Sequence, residues 1–144
     1  MTSGALQIRW GSVVIASVSV WVLSFVLVAG AIFIYAFSLG WAARGAPDSE
    51  TIQRFADAVA PVWGARLGVV LTGIAALWVG RRVNAGAVWH GVLIGVLVAG
   101  VPLAVRQPLA SELLMRFAIT LLAGAVGGWL GSQIRRNPQG HESR

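Results

Sequence analysis

The apolar positions of this chain fall into four long runs, at residues 13–39, 62–79, 85–105 and 113–134. Each run approaches or exceeds the roughly 20 residues that a helix needs to cross the hydrocarbon core of a bilayer. A backbone in hydrocarbon must satisfy its own hydrogen bonds, and the runs lack the alternation of membrane β-strands. The pattern therefore predicts an all-α membrane protein, a four-helix transmembrane bundle that forms a single domain over residues 1–144.

The segment between the first two runs has a different pattern. Asp48 or Ser49 can cap a helix that begins at Glu50. Apolar residues then recur at helical spacing on one face, at Ile52, Phe55, Ala56 and Val59. We predict a short amphipathic helix over residues 50–60 that lies in the outer interface, with Pro61 at the bend into the second span. A lid or a ligand-binding loop is the alternative interpretation.

Composition supports the membrane interpretation. The chain is 57% hydrophobic and only 11% charged, which leaves too little polar surface for a soluble globule. Its net charge of +6 is due to arginine, since there is no lysine, and most of the arginines lie at the ends of the apolar runs. The expected partner is therefore the lipid bilayer and not a nucleic acid, which would require a clustered basic face. The chain has no cysteine, which excludes disulfides and thiolate metal sites.

The arginines also predict an orientation, since cytoplasmic loops carry an excess of positive charge. The arginines fall into two sets on opposite sides of the membrane. The predicted cytoplasmic set is Arg9, Arg81, Arg82, Arg135, Arg136 and Arg144. The predicted outer set is Arg44, Arg54, Arg106 and Arg116. We therefore expect a multi-pass protein of the cell inner membrane with both termini, including the polar tail 135–144, in the cytoplasm.

Glycines four residues apart give the clearest packing signal. Such pairs leave a helix face without side chains, so that a second backbone can approach closely in lipid. The pattern does not say whether the second helix belongs to the same chain or to another copy. The predicted packing residues are Gly64, Gly68, Gly91, Gly95, Gly124, Gly127, Gly128 and Gly131.

An internal repeat is also visible. Residues 71–80 align with residues 122–131, with identical Leu, Gly, Trp and Gly positions, and a double arginine follows each segment. Both spans would run in the same direction, which predicts a parallel two-plus-two repeat. Two glycine-rich spans that each end at an interfacial tryptophan would look similar without any repeat, and this alternative stays open.

His90 is the one ionisable residue of the third run, which makes it a candidate proton carrier, metal ligand or pigment ligand. The only other histidine, His141, lies in the tail, and no acidic residue is expected at the depth of His90. We therefore predict no metal and no cofactor. The alternative for His90 is an interfacial side chain bonded to a carbonyl or a headgroup.

Arg66, Asp57, Glu112 and Arg116 could form a polar entrance at the outer side, and His90, at the cytoplasmic level, is a further candidate for a polar pathway. Glu112 and Arg116 are four residues apart and can pair on one helix face. Arg66 is the lone charge within the second run and can extend towards headgroups, Asp57 or Glu112. These side chains could line the entrance of an anion or proton path, or they could be ordinary membrane-edge charges.

The third and fourth runs resemble a known group of proteins. Residues 80–95 carry a basic loop followed by a Gly-x-x-x-His-Gly helix, and residues 124–131 read Gly-x-x-Gly-Gly-x-x-Gly. These motifs resemble the small four-helix bacterial inner-membrane proteins of a domain-of-unknown-function family, over residues 73–131. The resemblance implies a bacterial inner-membrane protein without an established activity.

The sequence lacks a Ser-His-Asp set at a common depth, a histidine pair with metal spacing and a phosphate-binding loop, so an enzyme is not expected. We expect a non-enzymatic structural or accessory subunit that packs through its glycine-lined faces, as a homo-oligomer or in a larger membrane complex. The alternative is a small oligomeric channel or transporter with a polar outer entrance.

Overall fold

The computed structural model describes residues 8–83, 85–105 and 111–136, and within these ranges all regular structure is helical. The helices are α1 (Trp10–Ala43), α2 (Ser49–Arg82), α3 (Ala87–Val105) and α4 (Ser111–Arg136). The prediction of an all-α, four-helix fold is confirmed. Asn84, Arg106, His141 and Arg144 lie outside the described residues.

Three of the four helices are long and apolar enough to cross a membrane, namely α1, α2 and α4. The apolar stretch of α3, Ala87–Pro102, is shorter than the other three. The chain therefore has the character of a membrane protein, although only three of the four predicted spans meet the same criterion of length and hydropathy.

The separate interfacial helix over residues 50–60 is not confirmed. These residues form the first turns of α2, which continues without a break through Pro61 to Arg82. A proline inside a helix removes one backbone hydrogen bond and crowds the carbonyl four residues earlier. The helix is continuous on both sides of Pro61, so only the one bond that a backbone N–H at this position would donate is missing.

The four helices pack with α2 and α3 in the centre. α4 lies against both of them on one side and α1 lies against both on the other, and in the described part of the chain no Cα atom of α1 lies within 8 Å of one of α4. The buried core includes Val13 and Val20 of α1, Ala76 and Val79 of α2, and Ile94 of α3. All of α1's buried residues lie in its first half, between Val13 and Val20.

The two ends of the bundle differ in chemistry. Arg9, Arg82, Val83 and His90 meet at one end, which we call the basic end. The turn between α1 and α2 lies at the opposite end, which we call the loop end. At 34 residues each, α1 and α2 are about 50 Å long, which exceeds the roughly 30 Å hydrocarbon core.

The extra length of α1 and α2 forms a helical hairpin at the loop end, and we call residues 29–59 the hairpin extension. Its two helices are held together by Tyr35 and Phe55, whose rings stack with centroids 3.8 Å apart. Asp48 begins α2 by accepting hydrogen bonds from the N–H groups of Glu50 and Thr51. The predicted cap at Asp48 is thus present, with the helix beginning at Ser49.

Candidate functional site

His90 lies in the first turn of α3 and is completely buried, with 0% of its surface exposed. Its Nε2 atom accepts a hydrogen bond from the backbone N–H of Arg9, at 3.1 Å. Its Nδ1 atom lies 2.8 Å from the carbonyl oxygen of Gly86, one turn earlier. The side chain therefore joins the start of α3 to the start of α1.

These two contacts fix the protonation pattern of the ring. A backbone N–H can only donate, so Nε2 of His90 must be the acceptor, and Nδ1 then carries the proton that it donates to Gly86. Both nitrogens of the neutral imidazole are thus used by the fold. Neither nitrogen is left to ligate a metal or pigment, or to pass a proton along a pathway.

The bond to Arg9 supplies what the start of α1 lacks. Arg9 occupies the N-cap position of α1, and no side chain of its own segment caps this helix. The first N–H groups of a helix have no partner within the helix and need one from elsewhere. His90 provides that partner from 81 positions along the chain.

The sequence left two interpretations of His90 open, and the buried geometry modifies both. The bond to the Gly86 carbonyl agrees with the interpretation as a carbonyl-bonded histidine. The ring is buried between helices, however, and does not face headgroups. The partner N–H of Arg9 could not be read from the sequence, because a backbone donor has no signature there.

Glycines of α4 form two close seams with neighbouring helices. On the side towards α3, Gly124 lies against Gly91 so closely that a Cβ on either residue would overlap the other's carbonyl oxygen. Gly128 lies in the same way against the carbonyl of Ala87. Gly95 of α3 extends this seam, since a Cβ there would lie 3.1 Å from the Thr120 carbonyl oxygen.

The second seam joins α4 to α2. A Cβ on Gly127 would overlap the carbonyl oxygen of Gly73, and a Cβ on Gly131 would overlap that of Leu77. A Cβ on Gly80 would lie 2.6 Å from the Gly128 carbonyl oxygen. The Gly-x-x-Gly-Gly-x-x-Gly pattern thus contains two interleaved faces, one for each neighbouring helix, and the second helix in each seam belongs to the same chain.

Two of the predicted packing glycines meet no helix of their own chain. Among the described residues, a Cβ built on Gly64 or on Gly68 would meet no atom within 4 Å, so packing there against a second copy stays a prediction. Spacing alone shows that a helix face is bare, but not that a neighbour covers it. Both glycines line a cavity instead.

This cavity, which we call the splayed cleft, has a volume of about 560 Å³ and is walled by all four helices. It lies on the loop-end side of the glycine seams, between Val20–Val28 of α1, Ala60–Gly68 of α2, Val98–Pro102 of α3 and Leu113–Thr120 of α4. Its walls are mainly apolar, including Trp21, Phe25 and Phe117. The cleft reaches the surface, because Phe25 is 74% exposed.

Polar groups in the cleft are few. Arg116 lines it and is half-buried. Thr120 also lines it, but its hydroxyl donates to the Arg116 carbonyl oxygen at 2.8 Å. Ser24 presents a buried Oγ that has no hydrogen-bond partner among the described residues. Two polar groups of the cleft therefore have no partner among the described residues, the Arg116 guanidinium and the Ser24 hydroxyl.

The predicted polar pathway is not assembled. Of its residues only Arg116 lines the splayed cleft, while Arg66 and Glu112 are exposed elsewhere and His90 is buried at the basic end. Glu112 and Arg116 do not form the expected ion pair. The one ion pair within the described ranges joins Arg54 to Glu50 on the surface of the hairpin extension.

Two contacts at the basic end were missed by sequence reasoning. The Arg135 Nη1 atom donates to the carbonyl oxygen of Val83, 2.7 Å away, and so ties the end of α4 to the C-cap of α2. The Arg82 guanidinium lies 4.0 Å from the centre of the Trp78 ring. The double arginines predict topology, and their position near a helix end also allows them to bond terminal carbonyls.

No cluster of three or more His, Asp or Glu side chains that could hold a metal ion exists within residues 8–83, 85–105 and 111–136. Comparison of the chain with protein-family models, with curated proteins and with solved structures finds no match. The resemblance to the four-helix family of unknown function therefore stays a prediction.

Proposed function

We propose that the chain is a non-enzymatic structural or accessory component of a membrane assembly, and that it contacts a second copy of itself or a larger complex through α1. The observation that supports this is a row of large apolar side chains on the hairpin extension. Phe33, Phe37 and Trp41 are 70%, 62% and 79% exposed. They line, together with Pro47, a surface depression of about 440 Å³.

The length of α1 makes this row unusual. A span needs roughly 20 residues, so a 34-residue helix extends past the lipid or tilts strongly within it. The row lies on the part of α1 beyond the splayed cleft, where neither α3 nor α4 covers it. An exposed apolar patch marks a surface that binds another protein or a membrane, and we assign this one to a protein because of its place on the extra length of α1.

The glycine seams support the accessory role, although they were expected to contact partners directly. Because Gly91, Gly95, Gly124, Gly127, Gly128 and Gly131 are occupied by contacts within the chain, they give the subunit a tight core and leave partner contacts to α1. In this proposal the first turns of α2 form the second helix of the hairpin extension and do not lie flat in the membrane interface.

We further propose an inner-membrane protein with both termini in the cytoplasm and the hairpin extension outside. The arginines of the basic end support this orientation. The two-plus-two repeat fits the same arrangement, since the repeated segments of α2 and α4 run in parallel and meet at Gly80 and Gly128. A bacterial origin rests on the family resemblance alone.

The channel or transporter alternative has weaker support. His90 is committed to the bond with Arg9, and Arg66 and Glu112 lie away from the splayed cleft. Only Arg116 could serve a solute path. Flux of anions or protons into proteoliposomes that is lost in Arg116→Gln but kept in Arg66→Gln would favour this alternative.

The accessory role is tested with single-cysteine variants, which the cysteine-free chain makes unambiguous. Phe37→Cys and Leu122→Cys place a thiol at two exposed apolar positions, one on the hairpin extension and one on α4. In native membranes we expect thiol cross-linking to trap Phe37→Cys with a product of defined mass and to leave Leu122→Cys uncross-linked. A monomeric mass in mild detergent together with equal cross-linking of both variants would contradict the proposal.

A further inference from the structure

We propose that the splayed cleft binds one anionic phospholipid from the surrounding bilayer, with an acyl chain between the four helices and the phosphate at Arg116. This inference is independent of the accessory role, since it concerns the four-helix part of the molecule and not the hairpin extension. It rests on the dimensions of the cleft, on its charge and on its unpartnered polar atoms.

The dimensions fit an acyl chain. On α1 the cleft extends from Val20 to Val28, and on α2 from Ala60 to Gly68. Eight residues of helix correspond to about 12 Å, which is close to half of the roughly 30 Å hydrocarbon core. The cleft therefore has the depth of one leaflet. Its volume of about 560 Å³ lies within the range typical of small-molecule sites.

The same dimensions argue against a helix as the occupant. A helix with side chains is about 10–12 Å in diameter, so the cleft would admit only about one turn of it. The walls also carry bulky side chains such as Trp21, Phe25 and Phe117, which narrow the space between the glycines and the opposite helices. A thin, flexible chain fits such a space better than a rigid cylinder.

Charge selects the class of lipid. Arg116 lies in the second turn of α4, about 7 Å from its beginning, which places the guanidinium near the edge of the hydrocarbon. No acidic side chain in the described part of the chain pairs with it. A guanidinium on an apolar wall is well suited to bind phosphate, and a lipid with net negative charge leaves no competing ammonium group.

The bare surface of Gly64 and Gly68 is explained by this occupant. Nothing lies within 4 Å of a Cβ at either position, although both residues are in a helix where alanine would be more favourable. The Ser24 Oγ, buried on the opposite helix without a partner, gives the wall one hydroxyl that can bond a lipid ester oxygen.

The test uses the full chain, purified in mild detergent and exposed to an equimolar mixture of phosphatidylglycerol and phosphatidylcholine. Native mass spectrometry counts the lipids that stay bound. We expect one tightly retained lipid, with phosphatidylglycerol preferred about tenfold, which corresponds to one charge-assisted contact. Gly68→Leu should lose the lipid because it fills the cleft, and Arg116→Gln should keep a lipid but lose the headgroup preference.

Matched controls separate the site from general effects. Gly30→Leu also adds a side chain where nothing lies within 4 Å, but outside the cleft, and Arg66→Gln removes an exposed arginine that does not line it. Both should bind phosphatidylglycerol like the unmodified chain. If Gly68→Leu fails to fold, lipid retention by Gly64→Leu and headgroup preference in Arg116→Gln test the proposal in its place.

Several outcomes would overturn the proposal. One is equal retention of lipid by Gly68→Leu and Gly30→Leu. Another is equal binding of phosphatidylglycerol and phosphatidylcholine by the unmodified chain. A third is a dimer that Gly68→Leu dissociates, since the cleft would then be occupied by a second copy and not by a lipid.

Discussion

The imidazole of His90 accepts a hydrogen bond from the backbone N–H of Arg9, so a side chain of α3 caps the first turn of α1. The bond closes the basic end of the bundle at the point where α1 has no cap of its own. Since α1 contacts only α2 and α3 within the described residues, this bond is one of few polar links that hold it in place.

Replacement of His90 by alanine should lower the free energy of unfolding by about 2–4 kcal/mol. The Arg9 N–H would lose its acceptor in a partly buried place, and the missing ring would leave a cavity. Unfolding by SDS titration in mild detergent measures the loss. Val88→Ala, a change at an exposed neighbouring position, should cost less than about 1 kcal/mol. An equal decrease in the free energy of unfolding in the two variants would contradict the capping role of His90.

Two glycine-to-alanine changes should have opposite effects on the stability of the protein. Gly124→Ala should destabilise by about 1–3 kcal/mol or more, because its Cβ would overlap the carbonyl of Gly91 and push α3 from α4. Gly68→Ala meets nothing within 4 Å and should stabilise α2 by roughly 0.5–1 kcal/mol. The same SDS titration compares them. A destabilised Gly68→Ala variant would mean that another element covers this face.

Arg135 should contribute modestly to the stability of the basic end. Replacement by methionine removes the donor to the Val83 carbonyl, and we expect a loss of about 0.5–1.5 kcal/mol, since the side chain is exposed. Thermal unfolding followed by circular dichroism gives the value. Gln133→Ala, an exposed change two residues away, is the control, and a loss as large there would argue against the hydrogen bond.

The start of α2 should be sensitive to acid. The Thr51 hydroxyl and the N–H groups of Glu50 and Thr51 donate to Asp48 and hold the pKa of its carboxyl below the ordinary value of 3.8. A carboxyl whose pKa is lower in the folded state stabilises it above the unfolded pKa, and this contribution disappears as the pH falls through the folded pKa.

We therefore expect the hairpin extension to loosen as the pH falls below 3.8, seen as faster hydrogen exchange at residues 49–55. Asp48→Asn should keep the cap but abolish this pH dependence, because asparagine caps helices about as well and does not ionise. A pH dependence that persists in Asp48→Asn would assign it to another group.

Topology can be measured directly with the cysteine-free chain. Ser49→Cys should react with a membrane-impermeant thiol reagent added outside intact cells, and a cysteine at Asn84 should react only after the membrane is opened. Thr72→Cys, at a fully buried position, should react in neither case. Labelling of both loops from the same side would contradict the proposed orientation.

Several features followed from the sequence because their physics is local. Apolar runs of about 20 residues must be helical in lipid, so the four helices and the membrane character were predictable. Glycine spacing in α4 identified the bare faces of Gly124, Gly127, Gly128 and Gly131, which the two seams use. The cap at Asp48 followed from its side chain and its place before the helix.

Other features depend on which helix lies beside which, and spacing along one helix does not contain that information. Gly64 and Gly68 have the same spacing as Gly124 and Gly128, yet only the second pair meets a neighbouring backbone. The sequence determined that four apolar helices would form and which faces were bare. Only the tertiary structure decided that His90 caps α1 and that all four helices line a cleft at Arg116, because both features depend on the relative positions of residues far apart in the chain. The structure also decided that α2 continues through Pro61.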